Sequence, residues 1–85
     1  MFGIEYSKAA IRTLRRIPAN TAALIRGKVG QLADDPRAVH AQLRPLAGSD
    51  AYRLRVGGWR VILRIDDAAQ VIRIVLIAPR GKAYR

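Results

Sequence analysis

Between residues 52 and 64 the chain reads YRLRVGGWRVILR, alternating apolar and polar positions except at Ile62 and where Gly57 and Gly58 interrupt it. Strict alternation marks a strand with one buried face. A two-residue glycine link is the commonest way to fold such a strand back on itself. Strands are therefore expected over 52–56 and 59–66. The run 71–77 is nearly all apolar, which predicts a third strand covered on much of both faces. Near the start, Phe2, Ile4 and Tyr6 alternate with Gly3 and Glu5 as a short strand. The period then becomes helical. Ser7 suits an N-cap for a helix carrying Ala10, Ile11, Leu14 and Ile17, and Pro18 ends it. Asn20 is expected to cap a second helix striped with Ala22, Ile25, Val29 and Leu32, which stops at Asp34-Asp35-Pro36. Residues 36–50 hold two prolines, Gly48, Ser49 and Asp50, and read as a connection without regular structure. The predicted order is β-α-α-β-β-β. This is an α+β fold, with a helix hairpin on one face of a small, mostly antiparallel sheet. The 85 residues fit a single domain, 1–85.

The register of the hairpin follows from its turn. If Gly57-Gly58 is the whole link, Val56 faces Trp59, Arg55 faces Arg60, Leu54 faces Val61 and Arg53 faces Ile62. One face then collects Tyr52, Leu54, Val56, Trp59, Val61, Leu63 and Ile65. The other collects Arg53, Arg55, Arg60 and Arg64. Pairing Asp66 with Val71 across the next turn sets Arg64 opposite Arg73 and leaves Ile72, Ile74 and Leu76 on the apolar face. Five arginines from three strands would share one side. An odd residue in that turn would break the array, since a slip of one position moves every side chain to the opposite face.

Charge makes this array matter. Sixteen Lys and Arg stand against 6 Asp and Glu, for a net charge of +10. Like charges directly opposite one another destabilise a sheet. A merely solvated face would interleave acids, and residues 52–56, 59–65 and 71–77 offer none on the arginine side. The arrangement points to an anionic partner, and arginine's planar fork suits phosphate oxygens. The absence of cysteine and the presence of one histidine and one glutamate argue against a metal site, which needs three or four convergent ligands; no cofactor is expected. His40 lies in the 36–50 connection and reads as a solvated loop residue. Trp59 falls on the apolar face and reads as core. Glu5 and Asp66 have no paired carboxylate and read as surface or turn residues. The first residues lack the basic-then-apolar pattern of a secretory signal, and no apolar run approaches 18 residues, so a cytoplasmic location with no membrane partner is expected.

Four segments, IEYSKAAIRTLRRIP, LADDP, YRLRVGGWRVILRID and IAPRGKAYR, together resemble the RelE/ParE toxin superfamily, and specifically its RelE-like branch. The hairpin and the C-terminal Arg-and-Tyr pattern carry most of the resemblance. It implies a RelE-like fold and a ribosome-dependent endoribonuclease, the toxin half of a type II toxin–antitoxin pair. Such an enzyme cuts mRNA in the A site by attack of the RNA's own 2′-hydroxyl. The implied partners are the ribosome with its mRNA and a cognate acidic antitoxin, held in a heteromeric complex. By position, the family's catalytic pattern falls on Arg53, Arg55, Arg60, Arg80 and Tyr84. Arg64, Arg73, Lys82 and Arg85 are expected to bind RNA. The chain departs from well-known members in carrying arginine at 53 and 55, where they carry lysine. Arginine does not readily release its proton, so Tyr84 is the candidate base or orienting group. Arg80 is the candidate for contacting the scissile phosphate or the leaving oxygen. Two other readings share the expected features. One is a ParE-like inhibitor of DNA gyrase with the same fold; the other is a basic nucleic-acid-binding module without catalysis.

Overall fold

A computed structural model describes residues 1–39 and 41–80. Strand β1 (Gly3–Tyr6) leads into helices α1 (Lys8–Arg16) and α2 (Ala19–Asp34). A 3-10 turn follows at Pro36–Val39, then strands β2 (Leu43–Pro45), β3 (Tyr52–Val56), β4 (Trp59–Asp66) and β5 (Val71–Pro79). The sheet order is β1-β5-β4-β3-β2, with β1 parallel to β5 and the other pairs antiparallel. The fold is therefore two helices against a five-stranded mixed sheet. The connection 36–50 is more ordered than its composition suggests, since it supplies β2, which pairs Leu43 with Leu54 and Arg44 with Arg53.

The helices cover one face only. Ala10 and Leu14 of α1, and Ala22, Ile25, Val29, Leu32 and Ala33 of α2, are buried. They pack in one cluster with Leu54, Val61, Leu63, Ile72, Ile74 and Ile77. Fully burying a side chain of this size stabilises by about 1.5–3 kcal/mol relative to exposure. Ile11 is instead exposed, so the α1 stripe is narrower than expected. Asn20 does not cap α2. The Pro18 carbonyl already accepts the Ala22 N–H at 3.0 Å, so the helix begins earlier, and the Asn20 side chain bonds its neighbour Thr21. Among the described residues no helix is long and apolar enough to cross a membrane.

The β3–β4 turn is the expected two-residue link. Gly57 takes φ +57°, where a side chain would be strained, and Gly58 does not take a positive φ. This is the pattern of a type II′ turn. It yields the pairs Val56–Trp59, Arg55–Arg60, Leu54–Val61, Arg53–Ile62 and Tyr52–Leu63. The next link, 67–70, holds an even number of residues and keeps Asp66 opposite Val71 and Arg64 opposite Arg73.

Beyond that the register departs from straight alternation. Leu63 pairs with Ile74 but Ile62 pairs with Leu76, so Val75 is an extra residue in β5. Such a bulge reverses the facing of everything after it. Leu76 therefore lies on the arginine side, against Ala51, Ile62 and Ala78, and Ile77 takes the core position. The irregularity is held from α1. Ser7 accepts the Ala10 N–H at 3.0 Å as the N-cap, and its hydroxyl donates to the Val75 carbonyl at 2.7 Å. Ser7→Ala removes both bonds and is expected to cost about 1–2 kcal/mol, near the upper end for a lost cap. Equilibrium denaturation checks this, and a loss of only a few tenths would mean that the bulge holds itself.

Candidate active site

The face away from the helices has a small apolar floor: Ala51, Ile62 and Ala78 are buried there, and Leu46 and Leu76 pack against them. Arginines stand around it in cross-strand rows. Arg55 pairs with Arg60, Arg64 with Arg73, and Arg44 with Arg53. The first two rows match expectation. Arg44 was missed, because a three-residue strand ending in proline leaves no periodic signal; only its pairing with β3 brings it here.

The rows are electrostatically unequal. Arg64 Nε donates to Asp50 at 3.0 Å. Arg73 reaches Asp66 at 2.8 Å and Glu5 at 3.3 Å. Glu5 lies directly across from Arg73 on the parallel strand. The acids on this face thus come from β1, a loop and the last residue of β4. The Arg73 guanidinium, with help from the Ala69 N–H, holds the Asp66 carboxyl below the usual carboxylate range. A depressed folded pKa contributes stability that is full above the ordinary aspartate value and is lost as pH falls through the folded value. Asp66→Asn should therefore lower the thermal midpoint at neutral pH, and the gap from wild type should close in strong acid. Melting curves across that range decide it; a gap that persists in strong acid would refute the ion pair as its source.

At the opposite end of the face, among the described residues, no acid pairs with Arg55, Arg60 or Arg80. Arg55 is exposed and Arg53 is half-buried. Arg60 is buried, at 7% exposure. Its Nη1 donates to the carbonyls of Trp59 at 3.1 Å and Gly57 at 3.4 Å, while its Nε is buried with no partner among the described residues. A buried cation held only by neutral carbonyls carries a large desolvation cost. The Arg80 N–H donates to the Gly58 carbonyl at 2.9 Å, which pins Arg80 beside the hairpin turn. Ala78 pairs with Arg60. By alternation Arg80, two residues on, follows on the same side. Had β5 run straight through Val75 with no bulge, Arg80 would fall on the helix side. Lys82, Tyr84 and Arg85 lie outside the described residues, as does His40. Of the tyrosines described, Tyr6 is poorly suited to proton abstraction. Burial pushes its phenol above the ordinary tyrosine value, with Arg26 opposing.

Trp59 is half-buried against the main core, as expected, but also lines an open groove beside the turn. Among the described residues no three His, Cys, Asp or Glu side chains converge as metal ligands would.

Comparison with known proteins gives the family of the chain. Toxin RelG of Mycobacterium tuberculosis is 30% identical over 86 residues, covering 99% of this chain and 97% of RelG. Toxin RelE of the same organism is 31% identical over 86 residues, covering 99% of this chain and 87% of that protein. The archaeal RelE–RelB complex of Pyrococcus horikoshii superposes with a TM-score of 0.81 at 25% identity, over 95% of this chain and 97% of the matched chain. Residues 4–84 match the family described as the ParE toxin of the type II toxin–antitoxin system parDE. The chain belongs to this family of type II toxin–antitoxin toxins, with RelE-type toxins among its relatives.

Proposed function

We propose that this toxin is a ribosome-dependent mRNA endonuclease whose active site lies at the hairpin end of the arginine face. The observation that carries the reading is the uneven pairing of the arginines. Arg64 and Arg73 are neutralised by Asp50, Asp66 and Glu5, whereas Arg55, Arg60 and Arg80 have no acid among the described residues. Uncompensated cations converging on an apolar floor destabilise a small fold, and a phosphodiester offsets that cost when it binds.

In this reading the 2′-oxygen of the RNA forms a bond to the adjacent phosphorus as the bond to the 5′-oxygen breaks. A cyclic phosphate and a free 5′-hydroxyl result. The 2′-proton passes to Tyr84, or to water that Tyr84 orients. The departing oxygen takes a proton from water with Arg80 alongside. Arg53, Arg55 and Arg60 stabilise the charge that builds on the phosphoryl oxygens, the role in which fixed cations contribute most. Arg44, Arg64, Arg73, Lys82 and Arg85 extend the contact to flanking phosphates. No metal or cofactor is invoked, consistent with the sparse donor set.

A translation extract given the purified toxin, with mRNA ends mapped, tests the reading directly. Cuts within codons, dependent on ribosomes and unaffected by chelator, support it. The family description names ParE, which favours one rival: inhibition of DNA gyrase by protein contact. Supercoiling assays run in parallel separate the two, since loss of supercoiling with intact mRNA would establish the rival.

A toxin of this charge also needs neutralising in its own cell. The partner is proposed to be an acidic antitoxin segment lying over the helix hairpin or the arginine face. Its association rate should fall as salt rises, because exposed charges are screened beyond about 10 Å at 0.1 M ionic strength. Stopped-flow binding across a salt series measures this; a rate indifferent to salt would remove charge as the basis of recognition.

A further inference from the structure

A groove of about 640 Å³ opens between α2 and the β3–β4 turn, on the flank of the arginine face. Leu24 and Lys28 form its helical wall, and Gln42, Arg55 and Trp59 form the sheet side. Leu24 is 67% exposed, an unusual position for a large apolar side chain in a protein this small. Gln42 is held at both backbone ends. Its carbonyl accepts the Arg55 N–H at 3.0 Å, and its N–H donates to Val39 at 2.9 Å. At the turn, a Cβ built on Gly57 or Gly58 would meet nothing within 4 Å, so a flat group can approach closely. Among the described residues, the ionisable side chains lining the groove are Lys28 and Arg55, both cationic.

An apolar wall, an indole, an amide carried on a held backbone and two cations together match the chemistry of a nucleotide. Arg55 settles where such a nucleotide sits. It borders the groove and is also the cross-strand partner of Arg60. A phosphate held at Arg55 therefore leaves its neighbouring base at the mouth of the groove. We propose that this groove is a nucleobase subsite, taking one unstacked base of single-stranded RNA next to the phosphate bound at Arg55. The base lies against Trp59 and Leu24, and the Gln42 amide reads its edge. The inference rests on the RNA-cleaving reading and adds to it a source of sequence preference, since an amide favours some base edges over others.

Trp59 is the sole tryptophan of the chain, so intrinsic fluorescence reports on this groove alone. The full-length toxin is titrated with a short single-stranded oligoadenylate and with an abasic oligomer of the same length, following tryptophan emission and the polarisation of a labelled end. The expected result is saturable quenching by the oligoadenylate, with about tenfold weaker binding and unchanged emission for the abasic oligomer. Tenfold is the scale of one stacked base. Trp59→Leu should bring the two affinities together. Because Trp59 also packs against the core, the wild-type fluorescence comparison stands independently of that variant. Equal affinity for both oligomers with unchanged emission overturns the subsite while leaving RNA binding intact. Failure of both to bind overturns the subsite as a property of the free toxin, while the ribosome-dependent reading stands or falls with the translation extract. Quenching by an acidic peptide but not by the oligoadenylate also overturns the subsite and makes the groove a protein-docking surface.

Discussion

Replacing Arg60 by methionine is expected to make the protein more stable and nearly inactive. Two effects oppose each other. The substitution loses two hydrogen bonds to backbone carbonyls, at 3.1 and 3.4 Å, near a turn where water can replace them. It removes a buried charge, a buried Nε without a partner among the described residues, and a like-charge contact with Arg55. A buried unsatisfied group costs about 1–3 kcal/mol. Replacing buried charged side chains by apolar ones of similar size is often neutral or stabilising. Methionine keeps much of the arginine stem's packing, so relief should win. For a domain of this size, each kcal/mol gained raises the thermal midpoint by roughly 4–8 °C. Cleavage should fall by about 10²–10³-fold, the scale for losing one group that stabilises transition-state charge. Thermal melts and single-turnover cleavage on programmed ribosomes are measured on the same preparation. A lower midpoint with unchanged cleavage would show that Arg60 serves the fold.

Removing the phenolic hydroxyl of Tyr84 is the other large effect expected. In-line attack needs the 2′-hydroxyl deprotonated and set behind the phosphorus. Arginine holds its proton too tightly to do this. Tyr84→Phe keeps the ring and should slow cleavage by about 10²-fold or more, the usual contribution of a positioned proton-transfer group. Ribosome binding should barely change, since the arginines supply that affinity. Arg80→Ala should also lose cleavage with only a modest binding loss, because the backbone of Arg80 remains tied to Gly58 whatever its side chain. Cleavage by Tyr84→Phe at the wild-type rate would move the base to the RNA or the ribosome.

Much of the arginine face was legible because its signals are local. Gly57 and Gly58 fix a link of two residues, alternation on either side fixes the faces, and an even second link carries the register to Arg73. What escaped was non-local or without contrast. Residues 74–77 are apolar on both sides, so an extra residue at Val75 leaves no trace in the pattern. It is visible only from the pairing of Ile62 with Leu76. Strand β2 is too short to show a period, and Arg44 was lost with it. The acids that neutralise Arg64 and Arg73 come partly from distant Glu5 and Asp50, which no reading of β4 and β5 alone could join to them. The helices were legible from their stripes, while the start of α2 was not, since asparagine suits either a cap or a first turn.

The extra residue in β5 also bears on how such a gene tolerates the loss of a codon. Deleting Val75 alone would remove the bulge yet leave Leu76 opposite Ile62, Ile77 opposite Val61 and Ala78 opposite Arg60, so the arginine face would survive. The net charge would stay at +10, the reading frame would be kept and every arginine would remain in the sequence. A relative whose β5 is one residue shorter at this point can therefore carry the same face, and an alignment gap there is no sign of a decayed copy.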